Sequence, residues 1–560
     1  MHRAGVSRTI SRIISIHRGL KSTPRYLHRR SAALRCNEND LFEYTSLRWL
    51  CNDEIQRSRR YIRFDVDALC EIAAKACNAE ECVSVRKIDE GSFNRILGLT
   101  LNDGREVIAR LPFPMAGPPH LLTASEVATL DFVRNIMSIP VPKVLAWSSR
   151  AASTPVGAEF MILEKVEGVE IHKPWTKIRK DFGEIIVDLL KIDKKYVNTR
   201  FSMNGSLFYK DDVIGHPHTT RIFEDPKNET EDTQRFAIGS HMAWELWHGE
   251  RVNMKIDRGP WSSATDYVTG FIRCQQEWLR QFVLPRSEQD PSFTSIDGST
   301  PKDHILFLEG ALLVHLTIMC NLQWPVLWHP DLHRANIFVT DSAPYTITGL
   351  IDWQYASISP LFSQASIPKA FQYTGSRVEF VRDCLKPPLP ENFDSLSEED
   401  KKLTLEEQLD AGLHAAYERS TKDISGVHTL LTHNHLSILM QSFWSSQVSW
   451  AEGLAPVEMC LAALYTEWQD ATGGDPTRRC PIEFNEDQLA RIAHIQLRFL
   501  TYTGNVKALR DELGCLQDGS VAVELFEEAL VKSKQREAEW DEVEKCGPYP
   551  FRDGYTALAT

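Results

Sequence analysis

His329-Pro330-Asp331-Leu332-His333-Arg334-Ala335-Asn336 has the form H-x-D-x-x-x-x-N, and Ile351-Asp352-Trp353 follows it, with Asp352 sixteen residues beyond Asn336. Phosphoryl-transfer sites of the protein-kinase kind need this set. One Asp orients the accepting hydroxyl, an Asn five residues on binds a metal, and a second Asp after a short hairpin binds the metal from the other side. The residue types follow from the chemistry. ATP phosphates are densely charged, and Mg²⁺ that bridges them takes hard oxygen ligands, with only one or two from the protein. The intervening sequence suits the geometry. Ile337-Phe338-Val339-Thr340 reads as a strand, Asp341-Ser342-Ala343-Pro344 as a turn, and 345–351 as a second strand rich in β-branched residues. An ordinary hairpin with capping Asp and Asn residues would show the same local pattern.

Upstream, 83–101 and 106–111 alternate or run apolar like strands, joined at Asn102-Asp103-Gly104, a hairpin turn. Asp89-Glu90-Gly91-Ser92-Phe93-Asn94 is a turn in which Gly91, Ser92 and Phe93 can lie over phosphates. Arg110, in Ile108-Ala109-Arg110, stands where a kinase places its third-strand cation, and Glu126 is the carboxylate to pair with it. Arg supplies the charge of the more usual Lys with a different fork geometry. Thr123-Ala124-Ser125-Glu126 also reads as a capping box, with Leu122 and Val127 as a hydrophobic staple, which would give Glu126 a second role. The strand at 160–164 runs out into a loop ending at Gly168. In a bilobal kinase this position is the hinge, where the backbone of Glu164 and Val166 would bind adenine; any edge strand leaving a sheet reads the same way.

The chain has 560 residues and a net charge of −13, which argues against a dedicated nucleic-acid binder. Charge is unevenly placed. Nine Arg and Lys residues, and no Asp or Glu, precede Glu38. An acid-free, Arg- and Ser-rich start with Ile10, Ile13, Ile14 and His17 on one helical face has the composition of a mitochondrial transit peptide, to be read by the import machinery. A basic tail that touches anionic surfaces has the same composition. No run of about twenty uninterrupted apolar residues predicts a membrane span. Beyond residue 175 the reading is helical, with segments at 182–192, 265–282, 405–419, 429–450 and 457–468 and a long charged helix at 521–543.

These motifs resemble the aminoglycoside phosphotransferase/choline kinase-like family. The match to its catalytic core covers roughly 83–365, and Phe42-Glu43-Tyr44-Thr45-Ser46-Leu47-Arg48-Trp49 with the 348–354 segment is similar to a fungal mitochondrial branch of it. The resemblance implies that Asp331 is the catalytic base, that His329 stabilises its loop, that Asn336 and Asp352 bind Mg²⁺ and that Arg110 and Glu126 anchor ATP. Pro330 replaces the family's usual Gly and Arg334-Ala335 its usual Pro-Gly, and 91–94 is a poorer glycine loop than a protein kinase uses. None of these departures removes an ionisable group. The expected fold is α+β: a bilobal protein-kinase-like fold with a small antiparallel-sheet N-lobe and a large helical C-lobe. The expected organisation is a transit peptide at 1–37, a helical extension at 38–82, the N-lobe at 83–168, the C-lobe at 169–480 and a C-terminal helical extension at 481–560. The expected activity is transfer of the γ-phosphate of Mg-ATP to a hydroxyl of an unknown small-molecule acceptor in the mitochondrial matrix. A pseudokinase scaffold and an enzyme that transfers AMP are the rival expectations.

Overall fold

Five strands with few polar residues on their inner face build the small lobe. They are β1 (Cys82–Glu90), β2 (Asn94–Leu101), β3 (Glu106–Pro112), β4 (Val144–Ser148) and β5 (Phe160–Glu164). The sheet is antiparallel in the order β1-β2-β3-β5-β4, and Leu27–His28 adds a two-residue strand beside β1. The computed structural model describes residues 27–28 and 39–552, apart from 179–181, 288–292, 294, 319–321, 425 and 475–476; the rest of the expected leader 1–37 lies outside it. Leu97, Leu99, Ala109, Leu111 and Ile162 are fully buried, and helix Val66–Ala76 covers this face, started by Asp65, which accepts the Ala68 N–H at 2.8 Å. Gly104 closes the β2–β3 turn at φ +86°, the conformation an Asn-Asp-Gly turn supplies.

Helix Leu121–Asn135 lies between the sheet and the large lobe and is buried along nearly its whole length. Its start corrects the expected capping box. The helix begins at Leu121, two residues before Thr123, so Thr123 is inside it and caps nothing. The cap comes from the residue just before β5. The Glu159 carboxylate accepts the His120 N–H at 2.7 Å and the Thr123 hydroxyl at 2.5 Å, and an anion at a helix N-terminus is favoured. Glu126 is thereby left for a different partner.

β5 leads into a tight crossing to the large lobe. Gly168, at φ +88°, lies so close to the Val339 carbonyl that a Cβ would sit 2.1 Å from its oxygen. Val169–Glu170 then pairs with Ile337–Val339, which pairs in turn with Ile347–Leu350. This is the hairpin expected after Asn336. The large lobe surrounds it with helices Gly183–Asn198, Ala264–Trp278, Pro301–Ile318, Glu398–Ser420, Asn434–Glu452 and Ala455–Thr466. Leu189, Phe271, Leu308, Phe443 and Leu461 fill their common core. No described helix is long and apolar enough to cross a membrane. The α+β, bilobal kinase-like arrangement is therefore present.

The C-terminal part departs from the expected reading. Residues 521–543 do not form one helix. Ser520–Ala522 is a strand paired with Leu47–Trp49 of the N-terminal extension, and the helix begins at Phe526. The tertiary setting overrides helical periodicity here: Val521 is fully buried in a cluster with Leu50, Phe526, Tyr549 and Phe551, and the Trp49 indole N–H donates to Asp518 at 2.9 Å. Within the expected helical extension 481–560 lies a 28-residue helix, Glu486–Leu513. Asn485 and Gln488 form its capping box, and at 1.5 Å per residue it is about 42 Å long. Its first turns pack on Ala455–Thr466, where Arg491 meets the buried Glu458 at 2.9 Å. Its last turns bring Leu509 and Leu513 to Leu50. Midway, Leu497 and Leu500 are 64% and 54% exposed, so this stretch bridges the lobes through solvent.

Two fully buried imidazoles give the fold an acid limit. Burial lowers His241 to about 3 and His304 to about 4. Both folded values lie below the unfolded one, so the unfolded chain binds more protons between about 4 and 6.5. Stability is fully present above pH 6.5 and falls with pH through that window, by about 1.4 kcal/mol per unit for each imidazole. Urea midpoints measured between pH 7.5 and 5 should fall steeply below 6.5, and His241→Gln should make the fall shallower.

Candidate active site

Arg110 enters the site from β3, where it pairs across to Ile96 on β2 and Met161 on β5, and it is only 6% exposed. A buried guanidinium needs acceptors for its fixed fork of donors. Nη1 donates to Glu126 Oε1, while Nη2 donates to Asp352 Oδ1 at 2.6 Å and to Gln354 Oε1 at 3.2 Å. Gln354 Oε1 also accepts from Asn94 Nδ2 at 2.7 Å. One cation thus gathers β2, β3, helix Leu121–Asn135 and the Ile351-Asp352-Trp353 segment. Burial alone would lower its pKa, and the Glu126 and Asp352 carboxylates more than reverse that. Burial raises Glu126, but its direct contact with a permanently charged guanidinium keeps the pair ionic.

The backbone at Asp352 is left-handed, with φ +69°, a region that Asp tolerates better than most residues. Two neighbours hold it there. The Ile351 N–H donates to the Asn336 carbonyl at 3.0 Å, and the Trp353 ring is buried, its indole N–H on the Leu350 carbonyl at 3.3 Å. These contacts place Asp352 beside Asn336 at the open end of the hairpin.

The 329–336 loop is fixed by its first histidine. His329 Nε2–H donates to the Ile351 carbonyl at 3.0 Å and Nδ1 accepts the Asp331 N–H at 3.2 Å, which sets a neutral tautomer. Burial holds its pKa near 4. Asn336 Nδ2 donates to the Asp331 carbonyl at 2.9 Å, so its Oδ1 remains as a ligand atom. Asp331, the expected base, forms an ion pair with Lys369, whose Nζ lies 2.6 Å from Oδ1, and His333 Nε2 stands 4.0 Å from Oδ2. Partial burial raises the Asp331 pKa, and Lys369 and His333 outweigh it, so the group lies below its ordinary value.

Gly91, Ser92 and Phe93 form a turn closed by the Gly91 N–H on the Asn94 carbonyl at 2.9 Å. The Phe93 ring meets Tyr355 edge-on at 5.3 Å, and the Tyr355 hydroxyl donates to the Ala116 carbonyl. The turn is anchored from below. Glu90 and Arg95, both side chains fully buried, are joined at 2.7 Å, and Glu90 also takes the Thr45 N–H at 2.8 Å and the Ser46 hydroxyl at 3.1 Å. The Phe42–Trp49 opening segment is therefore a fastener for the phosphate-loop candidate.

Glu164 and Val166 stand apart from this group. The Glu164 N–H is used by the Lys143 carbonyl at 2.9 Å, and its carboxylate lies 3.4 Å from Arg134. Val166 packs on Gly349 of the hairpin, where a Cβ would be 2.5 Å from it. Lys369, Gln354 and Asn94 are site residues that sequence reading missed. The available signal for Lys369 was Arg334, the departure from the usual Pro-Gly. Arg334 Nε–H donates to the Ala370 carbonyl at 2.9 Å, and its guanidinium lies 3.7 Å over Trp175, so it holds the Lys369 segment on the 329–336 loop.

No protein-family profile matches the chain. It is 30% identical over 529 residues to the subtelomeric hrmA-associated cluster protein of Aspergillus fumigatus, an alignment covering 84% of this chain and 97% of that one. It is 24% identical over 393 residues to altered inheritance of mitochondria protein 9 of Clavispora lusitaniae, covering 61% and 64%. Among solved structures it is similar to ADP-bound aminoglycoside phosphotransferase APH(2'')-Ib, at 11% identity and TM-score 0.34 over 77% of this chain and 98% of that one. It is also similar to choline kinase LicA of Streptococcus pneumoniae, at 11% identity and TM-score 0.30 over 76% and 97%. These structural likenesses are too remote to carry an argument about the site, whereas the near full-length match to the Aspergillus protein is not. The chain belongs to the fungal family of the subtelomeric hrmA-associated cluster protein, and is more distantly similar to altered inheritance of mitochondria protein 9.

Proposed function

We propose that the chain is a mitochondrial phosphotransferase that moves the γ-phosphate of ATP to a hydroxyl of a small-molecule acceptor. The carrying observation is Arg110, which bridges Glu126 and Asp352 beside a loop that presents Asp331 and Asn336. Mg²⁺ fits the donors present. The Asn336 Oδ1 and the Asp352 carboxylate are hard oxygens flanking the two paired strands, and among the described residues no group of three or more acidic, His or Cys side chains forms an all-protein metal site. Two protein oxygens suit a Mg²⁺ that takes its other ligands from phosphates and water. Mg²⁺ bound there would supply charge neutralisation on the phosphates.

The remaining roles belong to the chain itself. Asp331 orients the acceptor hydroxyl and receives its proton. His329 fixes the loop that carries Asp331, and Arg110 offsets phosphate charge. Gly91, Ser92 and Phe93 lie over the phosphates, and the backbone about Glu164 and Val166 borders adenine. Catalysis on this reading is positioning and electrostatics. The mitochondrial assignment is supported by the acid-free leader and by the relatives named as mitochondrial proteins; the leader would engage the import machinery and deliver the chain to the matrix.

A second reading, a scaffold of the same fold, draws on one observation. Both key carboxylates are ion-paired within the chain, Asp352 with Arg110 and Asp331 with Lys369. Calorimetric titration of Mg-ATP separates the two readings. The native protein should bind in a metal-dependent way. Asp352→Asn should weaken that binding at least about tenfold. Asp331→Asn should bind as the native protein does and lose turnover by about 10²–10⁴-fold. Full turnover in Asp331→Asn would sink the phosphotransferase assignment, and absence of binding by the folded native protein would favour the scaffold. Product mass, gaining phosphate or AMP, separates phosphoryl from nucleotidyl transfer.

A further inference from the structure

Lys369 has one ion-pair partner among the described residues, and that partner is the Asp331 carboxylate. We propose that Lys369 is a mobile cation of the transfer step, resting on Asp331 and moving onto the transferring phosphoryl group when ATP and acceptor are bound. The inference rests on the phosphotransferase reading above.

The backbone around Lys369 is fastened. The Ala370 N–H donates to the Leu332 carbonyl at 3.0 Å, and Arg334 holds the Ala370 carbonyl at 2.9 Å. The N–H groups of Phe371 and Gln372 both donate to the Pro368 carbonyl, at 2.8 and 3.0 Å. Phe371 is buried between Trp175 and Tyr417. The attachment point is rigid and the side chain is not, since Lys carries a point charge on a flexible four-carbon stem. Its side chain is 26% exposed and that of Asp331 is 42% exposed. A lysine that served only to hold the loop would duplicate Arg334, which already does so.

Resting on Asp331, the ammonium covers Oδ1 and leaves Oδ2 for an acceptor hydroxyl. An acceptor hydroxyl hydrogen-bonded to Oδ2 would stand beside the ammonium. The γ-phosphorus then lies about 3–3.5 Å from the hydroxyl oxygen, so the phosphoryl oxygens come within the sweep of the same stem. In the step the acceptor oxygen bonds to the γ-phosphorus as the bond to the ADP oxygen breaks. ADP leaves with that electron pair, and the hydroxyl proton passes to Asp331. Lys369 keeps its protons throughout and supplies charge alone to the transferring group.

The test uses the full-length protein, with Lys369→Met and Lys369→Arg beside the native chain. Mg-ATP and Mg-ADP affinities are measured by calorimetry, and phosphate release from ATP is followed with water as acceptor. Lys369→Met should lower the preference for ATP over ADP about tenfold with ADP affinity unchanged, and lower phosphate release by about 10²-fold or more. Lys369→Arg should recover at least about tenfold of that loss, because the charge is retained. Equal weakening of ATP and ADP in Lys369→Met would mark a structural residue and overturn the proposal. An unchanged ATP-to-ADP ratio, or faster phosphate release, would overturn it too. Native protein that binds neither nucleotide would remove the phosphotransferase reading itself, and this role with it, whereas native binding that is indifferent to Lys369 removes this role alone.

Discussion

The buried guanidinium of Arg110 is the interaction on which the site depends. It lies in a place where an isolated charge could not persist, and it is held by a carboxylate from the small-lobe helix and another from the large-lobe hairpin. Removing Arg110 would leave the enclosed Glu126 as an uncompensated charge in a low-dielectric setting, which is far more costly than never having had the pair. The relative placement of sheet, helix and hairpin is therefore tied to electrostatics at one point. Asp352, half in solvent, is the partner with freedom to exchange Arg110 for another cation, whereas Glu126 is enclosed.

A second buried ion pair extends this order outward. Glu90 receives Arg95, Lys87, the Thr45 N–H and the Ser46 hydroxyl, so the turn at Gly91–Phe93 is pinned on both flanks by charge and from outside by the N-terminal extension. That extension is held by the strand pairing of Leu47–Trp49 with Ser520–Ala522. A turn poor in glycine thereby gains definition from its surroundings that a glycine-rich loop would leave to the ligand.

Local chemistry carried much of this into the sequence. The hairpin between Asn336 and Asp352 was legible because a turn cluster separates two β-branched runs, and Arg110 because its strand follows an Asn-Asp-Gly turn. The capping box at Thr123 was misleading because the true cap, Glu159, is distant in sequence. Residues 521–522 carried helical spacing but were claimed by a strand more than 470 residues earlier, a long-range pairing that no local window contains. Lys369 was invisible for the same reason. Its meaning arises only when Arg334 folds its segment back onto Asp331. Glu164 and Val166 were named from the position of a strand end, and the structure gives their side chains work at the lobe junction.

The helix Glu486–Leu513 changes how the two lobes can move. The small lobe already meets the large one at the Gly168 crossing and at the Arg110–Asp352 pair. The helix adds a strut from Glu458 on one lobe to Leu50 on the other, so the chain forms a closed mechanical ring around the cleft. A ring has fewer free rotations than a hinge. Widening the cleft must bend the strut, slide its last turns over Leu50 or peel Ser520–Ala522 from Leu47–Trp49. Any widening of the cleft is thereby coupled to the packing of Leu509 and Leu513 on Leu50.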